Sequence, residues 1–140
     1  MTKLVIVRRI AIAALLIAFF LPLSKCSQTA ADGSVEVDYR YPVEIVVDGA
    51  QGLAANDAPD FDAVLLALLT LSVFFLPASI IATRTRTQSI VHLVLTAPAE
   101  WLLFTLSTIG APQAGGFIAM SAWGVLCVAG VISLMRREST

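Results

Sequence analysis

The sequence is poor in charged residues. Only 14% of its 140 residues are Asp, Glu, Lys or Arg, and 58% are hydrophobic, whereas soluble domains are about 25% charged and about 45–50% apolar. Charge is scarcest in three stretches, 62–82, 89–110 and 116–135. Each is long enough for a helix that crosses a bilayer, which needs about 20 apolar residues. The sequence therefore predicts an integral membrane protein with one membrane domain over 1–140 and no separate soluble domain.

Histidine and cysteine are also scarce. One histidine and two cysteines do not favour a metal site, which takes three or four protein ligands. Cys26 and Cys127 are predicted to lie at different membrane depths, beyond the reach of a disulfide. No phosphate-binding loop, zincin helix or nucleophile elbow is found, and no basic stripe with interleaved aromatics. We therefore expect no catalytic residue, no metal, no cofactor and no nucleic-acid partner.

A fourth apolar stretch, 10–26, is shorter and follows three basic residues. The favoured interpretation is a transmembrane helix, because Arg8, Arg9 and Lys25 can snorkel to the two membrane interfaces. The alternative is a cleaved secretory signal peptide. With this helix retained, the predicted fold class is an all-α membrane protein. It is a four-helix transmembrane bundle (10–26, 62–82, 89–110, 116–135) with a short β element in the long extracytoplasmic loop 27–61 and a cytoplasmic loop over 83–88.

The charges are segregated along the chain. Most basic residues flank the predicted spans on one side of the membrane. Seven of the nine do so, namely Lys3, Arg8, Arg9, Arg84, Arg86, Arg136 and Arg137. Eight of the ten acidic residues fall between 32 and 62, in or beside the long loop. The positive-inside rule then predicts that both termini and the 83–88 loop are cytoplasmic. We expect a multi-pass protein of the cell (cytoplasmic or inner) membrane.

The long loop carries a strand signal. Polar and apolar residues alternate from Ser34 to Tyr41, which is typical of a half-buried strand. Residues 43–47 could continue it beyond Pro42, and Asp48-Gly49 predicts a turn. Since a lone strand is unstable in water, it must pair. We favour a small hairpin within the loop. The alternatives are pairing with a second copy, or edge to edge with another subunit.

The third span contains the one polar stripe at membrane depth. Gln88, His92, Thr96 and Glu100 recur every fourth residue, and Ser107 extends the stripe, so these side chains share one drifting face of a helix. Glu100 lies near the middle of the span, where a charge costs at least about 2.5–3.5 kcal/mol. We therefore expect it to face the bundle interior or a partner.

Three interpretations of this stripe remain open. Glu100 and His92 could form a proton or cation pathway. Glu100 could pair with a cation from a partner subunit. It could also make a structural hydrogen bond between helices, for example to Thr70, Ser72 or Ser121.

Three prolines are predicted to bend helices, namely Pro22, Pro77 and Pro98. Taken together, the sequence predicts a non-catalytic accessory, assembly or scaffold component that acts through helix–helix and loop contacts. The alternative is a small oligomeric transporter, or a proton or cation pathway, that uses Glu100. The expected partners are the lipid bilayer and either other membrane subunits or further copies of this chain.

Overall fold

The computed structural model describes residues 2–29, 34–54, 60–81 and 85–138. Within these ranges the chain is mostly helical, with five helices and three short strands. In chain order they are α1 Thr2–Ala18, β1 Ser24–Thr29, β2 Val35–Arg40, α2 Pro42–Ala54, α3 Phe61–Ser79, α4 Thr85–Thr108, β3 Ala111–Pro112 and α5 Ala114–Glu138.

Three helices of the described part of the chain are long and apolar enough to cross a membrane. They are α3 over Phe61–Ser79, α4 over Arg86–Thr108 and α5 over Ala114–Met135. They support the prediction of a membrane protein and agree with three of the predicted spans to within about three residues. The side chain of Asp60 accepts the backbone N–H of Ala63 at 3.1 Å, so Asp60 caps the start of α3.

The first helix differs from its prediction. α1 has 17 residues, begins at Thr2 and ends at Ala18, which corrects the predicted span over 10–26. Beyond the helix the chain enters a three-stranded sheet: the backbone N–H of Leu23 donates to the carbonyl of Arg40 at 2.8 Å, and β1 begins at Ser24. Because α1 is shorter than the other three long helices, the four-helix bundle is reduced here to three candidate spans and a shorter helix that packs on α5 and α3.

The long helices α1, α4 and α5 pack side by side. α4 runs antiparallel to α5, since Ser89 and Leu93 lie against Gly130 at one end and Ser107 lies against Gly116 at the other. α1 packs mainly on α5 and contributes Leu15, which is fully buried. The core of this unit is apolar. Its most deeply buried large side chains are Leu15, Leu23, Phe74, Leu103, Trp123 and Leu126.

A helix replaces the second part of the predicted strand. Residues 43–47 and the predicted turn at Asp48-Gly49 all lie inside α2, so both predictions are wrong. Pro42 occupies the first helical position, where its missing N–H is not needed. The carboxylate of Glu44 accepts the backbone N–H of Tyr41 at 3.1 Å, as the third residue of a capping box does. These two start signals and the packing of α2 on α3 outweigh the turn propensity of Asp48-Gly49.

α2 runs antiparallel to α3 and packs closely on its first half. The backbone N–H of Asp60 donates to the carbonyl of Gly52 at 3.2 Å. A Cβ atom at Gly49 would meet the side chain of Ala67 and the carbonyl of Ala63. Gly49 is therefore a residue of close helix approach, with α2 and α3 forming a helical hairpin.

The predicted strand is confirmed as β2, and it pairs within the loop region as expected for a hairpin. The sheet has the order β2-β1-β3, with both pairs antiparallel. Its register runs from Ser24 opposite Arg40 to Thr29 opposite Val35. β3 lies in the turn between α4 and α5, so the sheet joins that turn to the segment after α1. Pro22 lies in this segment, beyond α1, and marks the end of a helix instead of a bend within it.

Candidate functional site

The structure divides the predicted polar stripe of α4 into separate sites. Gln88 and His92 face a polar cluster formed with α1 and α5 at the end of the bundle opposite the sheet. The hydroxyl of Thr96 donates to the carbonyl of His92 at 2.6 Å, within the same helix. Glu100 lies eight residues beyond His92, about 12 Å along the helix axis. The stripe is thus not brought together as one site.

Arg8 of α1 is the centre of the polar cluster. Its side chain is 5% exposed. The Nη2 group donates to the hydroxyl of Ser89 at 2.7 Å, to the hydroxyl of Ser133 at 3.0 Å and to the carbonyl of Ala129 at 3.1 Å. The Nη1 group lies 3.4 Å from the side-chain oxygen of Gln88. One guanidinium group therefore links α1 to both α4 and α5.

A cavity of about 150 Å³ lies beside this cluster. Its polar wall is formed by Arg8 and Arg9 of α1 and by Gln88 and His92 of α4. Its apolar wall consists of Val5 and Ile12 of α1, Pro77 of α3 and Ile81, which follows α3. Arg9 is exposed and Arg8 is buried, so one exposed and one buried positive charge line the cavity. Its polar residues come from two helices that are far apart in sequence.

His92 is buried between this cavity and the core. Only 1% of its surface is exposed, and neither ring nitrogen has a hydrogen-bond partner among the described residues. Its ring makes an edge-on contact with Trp123, with centroids 6.4 Å apart. Since a neutral imidazole carries one donor and one acceptor, His92 offers hydrogen-bonding capacity that the described part of the chain leaves unused.

Gln88 is anchored by bonds of its own. Its amide nitrogen donates to the carbonyls of Ile80 at 3.0 Å and Ile81 at 2.7 Å. These carbonyls follow the end of α3, so Gln88 ties that end to the start of α4. The anchored amide directs its oxygen to Arg8. Gln88 thus helps to form the wall of the cavity and orients the guanidinium group of Arg8.

Glu100 is half-buried on the side of α4 that faces α5. It lies seven residues from Leu93 and seven from Ser107, two helical turns in each direction, and both of those residues lie against glycines of α5. Among the described residues Glu100 has no hydrogen-bond partner. Thr70 and Ser72 instead donate to carbonyls four residues earlier on α3, so neither hydroxyl is directed at this carboxyl group.

Ser107, the last member of the stripe, is buried at the end of α4 near the sheet. Its hydroxyl lies against Gly116 and has no hydrogen-bond partner among the described residues. The absence of a side chain at Gly116 makes room for this hydroxyl. Ser107 therefore lies where α4 packs closely on α5.

The two prolines inside helices have different surroundings. Pro77 is fully buried in α3. Pro98 is exposed in α4, where it cannot donate to the carbonyl of Val94. Pro98 also lines an apolar cavity of about 310 Å³ between α3 and α4, together with Trp101 and Trp123. Trp101 is 74% exposed and Trp123 is fully buried. The other residues that line this cavity are apolar apart from Ser72.

The three-stranded sheet contains a fully exposed strand. β2 lies at one edge of the sheet, and all six of its residues are exposed. Val35, Val37 and Tyr39 project from one face, and Glu36, Asp38 and Arg40 from the other. Tyr39 is opposite Lys25 of β1, whose ammonium group lies 5.9 Å from the ring centroid. The described chain therefore leaves both the apolar row and the outer edge of β2 uncovered.

Arg8 corrects one prediction. The sequence predicts that the Arg8 side chain snorkels to the membrane interface, whereas the structure buries this side chain between helices. A sequence signal existed: Arg8 lies three, four and seven residues before Ala11, Ile12 and Leu15, which is the spacing of the buried face of α1. Ser89 and Ser133 gave no signal of their own, because isolated serines are common in membrane helices. Among the described residues, no three His, Cys, Asp or Glu side chains are grouped as a metal site would require.

Comparison with protein-family models, with curated proteins and with solved structures finds no match to this chain.

Proposed function

We propose that the protein is a non-catalytic membrane component that serves as an accessory, assembly or scaffold subunit. The observation that supports this is β2, a six-residue edge strand whose residues are all exposed. An exposed edge with apolar side chains is a template for pairing with another strand. Main-chain hydrogen bonds would supply affinity, and alternate side chains would supply specificity.

A second copy of this chain is the partner that the sequence of β2 fits. Antiparallel pairing of two β2 strands about Asp38 places Glu36 opposite Arg40 twice, and Val37 opposite Tyr39 twice. Opposite charges and apolar pairs directly across a ladder each contribute about 0.2–1 kcal/mol. Only Asp38 meets its own copy, which is the one unfavourable pair. Two-fold pairing of this kind produces the isologous contact that is commonest among homo-oligomers.

Cysteine cross-linking tests this register. In a background with Cys26→Ser and Cys127→Ser, Asp38→Cys should give an intermolecular disulfide in membrane vesicles, since opposed Cα atoms in a ladder are about 4.5–5.5 Å apart. Gln28→Cys is the matched control, because Gln28 lies on the same face but in the central strand β1. Equal cross-linking at the two positions contradicts the pairing.

A second variant tests the consequence for assembly. Val37→Lys places a charge in the apolar row of the edge, a change that blocks strand addition. It should shift the protein from dimer to monomer in mild detergent, whereas Ser27→Lys, opposite Val37 in β1, should not. If Asp38→Cys forms a cross-link to a different polypeptide, the partner is not a second copy of this chain. The protein would then be a subunit of a mixed complex.

We further propose that α1 is a fourth membrane helix, with both termini on the cytoplasmic side of the cell (cytoplasmic or inner) membrane. Its 17 residues extend about 26 Å, slightly less than a hydrocarbon core of about 30 Å. The packing of Leu15 and Ala18 in the core favours a retained helix over a cleaved signal peptide. Mass spectrometry of the mature chain tests this directly, since cleavage would remove α1.

The alternative function is a proton or cation pathway that uses Glu100. A half-buried carboxyl group near the middle of α4, with no hydrogen-bond partner among the described residues, favours it. Proton flux into liposomes should then be lost in Glu100→Gln while the fold persists. Absence of flux through the unmodified protein contradicts this alternative and leaves the proposed subunit role.

A further inference from the structure

The guanidinium group of Arg8 retains unused hydrogen-bond donors. Arginine has five N–H groups in a rigid fork. The Nη2 group contacts three acceptors. The Nε group has no partner among the described residues, and the Nη1 group has one long contact of 3.4 Å. Since Arg8 lines the cavity between α1, α3 and α4, a group that enters the cavity meets a guanidinium group whose donors are not all used.

The charge of Arg8 is not neutralised by these contacts. Its four acceptors are two hydroxyls, an amide oxygen and a backbone carbonyl, and each is uncharged. Neutral acceptors reduce the cost of burying a guanidinium, but a charge held away from water is compensated fully only by an opposite charge. The cavity therefore has a positive potential, to which the neighbouring Arg9 adds.

His92 provides an independent observation that points to a ligand. It is 1% exposed, lines the same cavity, and has two ring nitrogens without partners among the described residues. A buried polar side chain normally finds a partner. Arg8 and His92 belong to different helices, yet both line the same cavity.

We propose that this cavity binds a phosphate group, carried by an anionic lipid of the adjoining leaflet. Phosphate oxygens match the planar donor fork of arginine, and a second basic residue at the cavity, Arg9, suits a charged headgroup. A volume of about 150 Å³ exceeds that of several waters at about 30 Å³ each, so a phosphate fits. Val5 and Ile81 add apolar walls suited to the carbon atoms next to it.

The position in the fold supports a lipid as the source of the phosphate. The cavity lies towards the start of α1 and of α4, among the basic residues that the positive-inside rule assigns to the cytoplasmic interface. Basic pockets between membrane helices on that side bind lipid headgroups. A soluble phosphate ion carries the same chemistry and is the other possible source, which the experiment below distinguishes.

Native mass spectrometry of the purified protein in mild detergent tests this site. Phosphatidylglycerol should bind in preference to phosphatidylcholine. Arg9→Gln should weaken phosphatidylglycerol binding about fivefold, the effect of about one basic residue near a lipid surface. Lys3→Gln is the matched control, because it removes one exposed charge from the same helix without altering the cavity, and it should leave binding within about twofold.

Two further measurements complete the test. His92→Phe keeps an aromatic ring but removes both nitrogens, and it should weaken binding while the circular dichroism spectrum is unchanged. Inorganic phosphate is added as a competitor: failure to displace the lipid supports the lipid source, and displacement that depends on Arg9 supports the phosphate site with a soluble ligand. Equal binding by Arg9→Gln and Lys3→Gln, or binding without preference for the anionic lipid, overturns the proposal.

Discussion

Replacement of Gly49 by alanine should loosen the contact between α2 and α3. A Cβ atom at Gly49 would lie 2.9 Å from the carbonyl oxygen of Ala63 and closer still to the side chain of Ala67. Carbon atoms pack at about 3.5–4.0 Å. Neither a helix carbonyl nor an alanine methyl group can rotate out of the way. The new methyl group can therefore be accommodated only if the two helices move apart.

Two opposing effects set the size of this change. Overpacking costs about 1–3 kcal/mol, and rigid neighbours place Gly49→Ala at the upper end, about 3 kcal/mol. Alanine is the better helix former by about 1 kcal/mol. The free energy of unfolding should therefore fall by about 2 kcal/mol. Gly124→Ala is the matched control: a Cβ at this position of α5 meets no atom within 4 Å, so the helix effect alone should leave the protein unchanged or up to about 1 kcal/mol more stable.

The measurement is unfolding of the purified protein in mixed micelles by added SDS, followed by circular dichroism. Limited proteolysis of α2 should also become faster in Gly49→Ala. The double variant with Ala67→Gly should recover part of the loss, because it removes the nearer of the two contacts and leaves the carbonyl of Ala63. A Gly49→Ala protein as stable as the unmodified chain would show that α2 does not pack on α3 as described.

Core packing, the cap of α3 and the orientation of the chain can each be tested separately. Phe74→Ala should lower the free energy of unfolding by about 3–5 kcal/mol, since Phe74 is fully buried; Phe104→Ala, on an exposed side chain, should cost much less in the same micelle assay. Asp60→Ala should cost about 1 kcal/mol because it removes the cap of α3; Asp62→Ala, in the first turn but not at the cap, should cost less. If the proposed orientation holds, a membrane-impermeant maleimide should label Cys26 from the extracytoplasmic side of intact cells or spheroplasts, and labelling only after the membrane is opened would contradict it.

The sequence predicted elements whose signal is carried by many residues at once. Three apolar runs predicted α3, α4 and α5 because length and composition leave few alternatives for such segments in a bilayer. The alternation from Ser34 to Tyr41 predicted β2 because its two-residue period differs from that of a helix. Each of these predictions depended on a repeated pattern, so no single residue could mislead it.

Predictions that depended on single residues were less secure. Asp48-Gly49 has the composition of a turn, but Gly49 serves the close approach of α2 to α3, and sequence alone does not distinguish these two uses of a missing Cβ. The side chain of Arg8 could lie at the membrane interface or be buried between helices. The choice depended on acceptors from Ser89, Ala129 and Ser133, which local sequence reasoning cannot place beside it. The conformation at Gly49 and the burial of Arg8 both depend on contacts with residues that are distant in the sequence.

The attachment of Arg8 also bears on the order in which the chain matures. Its four acceptors lie 80, 81, 121 and 125 residues further along the polypeptide. A ribosome that has just released the first helix has therefore not yet made any of them. The guanidinium group can therefore form these hydrogen bonds only after α4 and α5 have been synthesised. The final seating of α1 thus waits for two helices that follow it in the chain.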